Sequence, residues 1–227
     1  MTGDVVDRYD GHIAGLATAD ARRVVVGRWL RSPWGRFADV MTQDAAGHRT
    51  LLAPSAAVAD EVAATYVFDE VVLTPVRVTC DPPTRRWHVI AGPLSADLTL
   101  GARTALGTLL TALPRALTRS RAFATVVDPI ASWLVPGVRT VGSAGHGRRE
   151  WYGATGQHRV VDADVTWDDV PCGALLSDVP PVAFGFSSVP HRPTVTAVRT
   201  TIAGSVRARP RVVDGLPCAH EQPERRR

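Results

Sequence analysis

The chain of 227 residues contains no lysine, and all 26 of its Lys-plus-Arg positions are arginine. Arginine stays protonated, so Schiff-base catalysis, which needs an amine able to lose its proton, is excluded. A phosphate-binding loop ending in Gly-Lys-Ser/Thr is excluded because the motif requires the missing lysine. Gly-x-Ser-x-Gly, His-Glu-x-x-His and Cys-x-x-Cys are also missing, which removes the nucleophile elbow, the helical zinc protease and the dithiol redox pair. Cysteine is scarce. Cys80, Cys172 and Cys218 are widely spaced and odd in number, which predicts reduced thiols in a cytoplasm, with no disulfide framework, metal or cofactor.

No secretion signal is expected, because Asp4 and Asp7 stand where such a leader carries positive charge before an apolar stretch. Long apolar runs are lacking too. The most apolar region, 106–138, is interrupted by Arg115, Arg119, Arg121 and Asp128, each costing about 2.5–3.5 kcal/mol at a bilayer centre, so buried helices are expected there and no membrane span. The formal net charge of +4 sits mostly at one end: residues 204–227 hold six arginines against three acids, and residues 1–203 hold 20 against 19. A nearly neutral body without a basic stripe argues against nucleic acid as a partner.

With 45% hydrophobic residues, one substantial core is expected. The reading is an extension over 1–20, which lacks a clean period, one β-rich domain over 21–203, and an arginine- and proline-rich tail over 204–227 expected to be disordered. Strands are predicted at 23–29, 37–41, 71–80, 87–91 and 94–100, then at 139–142, 148–153, 158–166, 182–187 and 194–202. Three helices are predicted: one capped by Ser55, one over 104–118 bent by Pro114, and one with Asp128 as N-cap and Pro129 at its first position. The predicted fold class is α+β, mainly antiparallel β, with a curled or barrel-like sheet and about three helices packed on it.

Functional residue types are densest in Gly142-Ser-Ala-Gly-His-Gly-Arg-Arg-Glu-Trp-Tyr-Gly-Ala154 and the residues after it. If Thr155-Gly156 is a two-residue hairpin turn, Arg148, Glu150, Tyr152 and Arg159 share one face with Val161, Ala163 and Val165. An arginine fork beside a tyrosine and a carboxylate, at the edge of an apolar strip, can hold a small carboxylate ligand. The same residues also fit a rim of cross-strand ion pairs contributing about 0–1 kcal/mol each.

Other groupings are weaker. His146, Glu150 and His158 suggest metal ligands, but the hairpin register places Glu150 and His158 on opposite faces. Glycines 142, 145 and 147 suggest either an anion nest or a plain turn. Ser187, Ser188 and His191 lack the strained elbow that exposes a nucleophile. The segment from Trp29 to Asp39 reads as an aromatic–arginine cover over a ligand mouth, or as packing by Trp34 and Phe37.

The segments Gly35 to Met41, Trp87 to Leu94, Arg149 to Ala154 and Pro180 to Ser188 resemble a group of uncharacterised actinobacterial proteins. More distantly, the layout of residues 20–203 resembles the acetoacetate-decarboxylase-like barrel families. That likeness implies an antiparallel sheet curled around a small-ligand cavity. The family's Schiff-base lysine has no counterpart, so its decarboxylation route does not carry over. The expectation is therefore a ligand-binding domain for an anionic, partly apolar metabolite. A lysine-independent lyase or hydrolase with Glu150 as general base, and a protein-interaction domain using the basic tail, stand as alternatives.

Overall fold

The structure, a computed structural model, describes residues 5–134, 139–144, 147–185 and 189–204. The first half contains β1 (Val5–Ala17), β2 (Arg23–Arg31), β3 (Phe37–Gln43), β4 (Arg49–Ala53), α1 (Ala56–Ala63), β5 (Glu70–Leu73), β6 (Val76–Asp81), β7 (Arg86–Ala91) and β8 (Leu94–Arg103). The second contains α2 (Ala105–Ala112), α3 (Arg115–Thr118), α4 (Arg121–Leu134), β9 (Val141–Ser143), β10 (Arg149–Trp167), β11 (Val170–Pro171) and β12 (Thr194–Gly204). All twelve strands join one sheet in the order β5-β4-β3-β2-β1-β12-β10-β8-β7-β6, with β9 and β11 also paired to β10. Every pairing is antiparallel except β4 with β5.

One hydrophobic cluster shows how the sheet curls. Leu16, Val24, Val26, Val40 and Leu52 from one wing pack with Trp87, Val89, Leu94 and Leu98 from the other, all buried. Strands so far apart in sheet order meet only if the wings fold toward each other, and β6 does lie against β3. The interior face thus becomes a closed apolar core.

The predicted extension over 1–20 proves to contain a central strand. Residues Val5 to Ala17 form β1, held between β2 and β12. Its period was hidden because both faces are covered and the strand carries small residues: buried Ala14 and Leu16 face the core, and buried Tyr9 faces the other side. Gly11 is required at the bulge after Asp10, where a Cβ would stand 2.2 Å from the Arg28 carbonyl oxygen.

Four helices are present among the described residues, one more than expected. Ser55 caps α1 as predicted, its hydroxyl accepting from the Val58 N–H. Thr104 caps α2 in the same way at Gly107, and the chain breaks at Pro114 to give α3. The prediction for the last helix fails. It starts at Arg121, with the Ser120 hydroxyl accepting from the Phe123 N–H, and Asp128 lies inside it. There the Asp128 carboxylate accepts from the Arg139 guanidinium and from the Thr140 and Val141 N–H groups. A carboxylate expected to cap its own helix instead ties that helix to β9.

Two strand predictions also change. The run 71–80 breaks at Thr74-Pro75 into β5 and β6, and Val182 to Gly185 form no strand. That segment lies over β2, where Val182 and Phe184 bury against Val25. Among the described residues, no helix is long and apolar enough to cross a membrane.

Candidate functional site

The expected hairpin, strands at 148–153 and 158–166 around Thr155-Gly156, is absent: Arg149 to Trp167 form one 19-residue strand. Thr155 is the extra residue of a bulge, where the β12 register shifts between Ala154 and Gly156. A bulge and a tight turn draw on the same small, permissive residues, and local sequence does not separate them. Because the bulge adds one residue, the faces survive in part. Tyr152 pairs with Thr200 and Arg159 with Thr194, so both still point to the side of the sheet opposite the core. Ala163 and Val165 do not, since a second shift against β8 between Val160 and Asp162 turns them into the core. The proposed strip of Val161, Ala163 and Val165 is therefore divided between faces.

Arg148, Glu150 and Tyr152 come together, and α1 supplies what lies over them. The Arg148 guanidinium donates to Glu61 Oε1 at 2.9 Å, to Thr65 Oγ1 at 3.2 Å and to the Ala144 carbonyl at 3.1 Å. The Tyr9 hydroxyl donates to the same Glu61 oxygen at 3.2 Å. The Tyr66 and Tyr152 hydroxyls hydrogen-bond each other. Glu150 is 2% exposed, and its Oε2 has no partner among the described residues. The arginine fork predicted to await a ligand is thus already filled by Glu61, a residue 87 positions away in sequence.

Burial dominates the electrostatics. It pushes the Glu150 carboxyl up to about 7, with the nearby Glu61 carboxylate adding to the rise, while Tyr152, Arg148 and Tyr66 oppose it. Asp39, from β3 on the same side, is 3% exposed and is likewise pushed to about 7 by burial, against a hydrogen bond from Trp29. That bond, Trp29 Nε1 to Asp39 Oδ1 at 2.9 Å, depends on Gly27: a Cβ there would lie 2.4 Å from Asp39 Oδ1. The Tyr66 hydroxyl is held well above the usual phenol range by burial, with Glu150 and Asp39 both contributing. Two carboxyls that keep their protons to near neutrality therefore flank a tyrosine pair.

Arg159 lies elsewhere. Seven residues beyond Tyr152, about 23 Å along an extended strand, it is exposed at the rim of a cleft of about 760 Å³. The cleft opens between β10 and the chain segments 171–177 and 192–193. Arg192 joins Arg159 at the rim, Val160, Ala163 and Leu175 supply apolar wall, and Asp162 and Asp164 also line it. Neither arginine has a hydrogen-bond or ion-pair partner among the described residues.

Sequence reasoning missed Tyr9, Asp39, Glu61, Tyr66 and Arg192. For Asp39 a signal existed, a lone acid inside the β-forming run Phe37-Ala-Asp-Val-Met41. Arg192 and Glu61 carry none, since solvated residues have the same local pattern. The aromatic segment packs: Trp29 meets Tyr9 edge-on with ring centroids 5.7 Å apart, and Trp34 and Phe37 join them. His146, Ser187, Ser188 and 205–227 lie outside the described residues. Among those described, no three His, Cys, Asp or Glu side chains converge as metal ligands.

No protein-family profile and no curated protein matches the chain. Among solved structures, it is similar to one of acetoacetate decarboxylase at 10% identity and a TM-score of 0.38, over 88% of this chain and 86% of that one. It is also similar to a putative AttH from Nitrosomonas europaea at 14% identity and a TM-score of 0.24, over 86% of this chain. The chain spans 38% of the length of that AttH chain. Likeness at this level transfers no residue and no activity.

Proposed function

We propose that the protein binds a small anionic, partly apolar metabolite, and that the binding site is the cleft at Arg159 and Arg192. The observation that carries this reading is two guanidinium groups, without partners among the described residues, at the rim of an apolar-walled cleft of about 760 Å³, a size within the range of small-ligand sites. Arginine matches a carboxylate through two parallel N–H bonds, and the Val160, Ala163 and Leu175 walls suit a short hydrocarbon portion. Arg148 lies outside this site, its guanidinium held by the Glu61 carboxylate. We assign the protein to a reducing cytoplasm on the wide spacing and odd number of its three cysteines.

The test is a thermal-shift series with hexanoate, hexyl phosphate and hexanol. At 100 times its dissociation constant, a ligand adds about 2.7 kcal/mol, or about 5–10 °C for a chain of this size. Hexanoate should raise the melting temperature of the wild type and leave Arg159→Ala/Arg192→Ala unchanged. Equal shifts in both proteins, or none in either, would remove the reading.

A second reading, a lysine-independent enzyme, draws on Glu150. Its carboxyl, held near 7 by burial beside two tyrosine hydroxyls, with one oxygen lacking a partner among the described residues, has the proton affinity of a general base at neutral pH. Exchange of α-protons of small carboxylates in D2O, followed by NMR, should then occur with the wild type and stop in Glu150→Gln. Lack of exchange with the wild type would leave the cluster a structural role alone.

A further inference from the structure

β12 pairs with one edge of β10 as far as Arg159, opposite Thr194, and β11 takes up that edge again at Thr166 and Trp167. Between them the edge is bridged at its two ends, where the Val160 N–H donates to the Pro193 carbonyl and the Cys172 N–H to the Val165 carbonyl, both at 2.9 Å. Residues 161–164 have no backbone partner on that edge among the described residues, although β8 holds their opposite edge. The facing wall has the same property. The Leu176 N–H donates to Ala17 and the Ala174 carbonyl accepts from Ala19, on either side of the Thr18–Leu175 bridge. In that pattern the backbone groups of Leu175 point away from β1. The cleft is therefore a gap in the sheet, walled by backbone donors and acceptors as well as by apolar side chains.

Its charges are separated along the strand. Arg159 and Arg192 stand at the Thr194 end, whereas Asp162 and Asp164 follow three and five residues further along β10, exposed and without ion-pair partners among the described residues. Those spacings correspond to about 10 and 17 Å. A simple fatty anion uses only the first pair. A ligand with a carboxylate at one end, an ammonium about 7–10 Å away, and amides between them uses both pairs and the gap, because two or three extended residues span that length.

We infer that the cleft recognises a short peptide of two or three residues with both ends free, its carboxylate at Arg159 and Arg192 and its ammonium at Asp162 and Asp164. The chain of such a peptide runs antiparallel to β10, since its carboxyl end lies at the earlier residues of the strand. Its apolar side chains meet Val160, Ala163 and Leu175. This inference rests on the anionic-ligand reading above and names the ligand class of that site.

Calorimetric titration of the full chain with Ala-Val-Leu, its N-acetyl and C-amide forms, and hexanoate tests it. Each charge-assisted contact contributes enough that deleting one end should weaken binding about tenfold or more. The free tripeptide should therefore bind best, and the penalty for N-acetylation should vanish in Asp162→Asn/Asp164→Asn, a surface variant that leaves the core untouched. If hexanoate binds as tightly as the tripeptide and acetylation costs nothing, the peptide assignment fails while the anionic-ligand reading stands. If neither hexanoate nor the tripeptide binds, both fail.

Discussion

At the scale of single residues, Arg148 and Glu150 show how burial reassigns side chains that sequence offers as ligand contacts. The side chains of Arg148 and Glu61 are 9% and 13% exposed, so each needs the other. Removing one partner of a buried pair costs about 3–5 kcal/mol, because the second charge stays buried without compensation. Urea denaturation of Arg148→Ala should show a loss of that size, and adding Glu61→Gln should recover most of it. A double variant as unstable as the single one would mean that the pair is not what holds α1 to the sheet.

Glu150 makes a prediction about pH. Its carboxyl is raised from 4.5 to about 7, so between those values the folded state binds a proton that the unfolded chain has released. Its contribution is fully present below about 4.5 and is lost as pH rises through 7. Asp39, raised from 3.8 to about 7, acts with the same sign. The shift at Glu150 is worth about 3 kcal/mol. Stability measured at pH 5 should exceed that at pH 8, and Glu150→Gln should remove a large part of the difference. An unchanged difference in that variant would place the titrating group elsewhere.

At the scale of elements, glycines set how closely helices approach the sheet. A Cβ on Gly107 of α2 would lie 2.2 Å from the Gln157 carbonyl oxygen, a backbone atom fixed within β10. Gly107→Ala should therefore cost about 1–3 kcal/mol or more through overpacking, although alanine is the better helix former. Melting temperatures read the outcome: a rise in Gly107→Ala would show that α2 shifts freely. The bulge at Thr155 belongs to this scale as well. Its extra residue keeps Arg159 on the outward face after the long run from Glu150, and that orientation puts the arginine at the cleft.

At the scale of the molecule, stability rests on the core enclosed between the two wings. Leu98 is fully buried there, whereas Leu109 on α2 is 60% exposed. Leu98→Ala should cost about 2–5 kcal/mol and Leu109→Ala within about 0.5 kcal/mol, a contrast that chemical denaturation measures directly. The cleft is a whole-molecule feature, because it exists only where β12 ends, β11 begins and the segment 173–177, held to the end of β1, faces β10 across an uncovered edge.

Alternation, turn residues and caps are local, so the antiparallel β-rich class, most strands from β2 to β8, and the cap at Ser55 could be read from the chain. The missing lysine excluded Schiff-base chemistry without any structure. What tertiary structure alone decided is which distant residues meet: Arg148 with Glu61 and Tyr66 with Tyr152 as hydrogen-bonded pairs, Arg159 and Arg192 at one cleft, and β1 at the centre of the sheet. The place of Arg159 depends on the register shift in β10 between Ala154 and Gly156, and a bulge differs from a turn only in what the rest of the molecule packs against it.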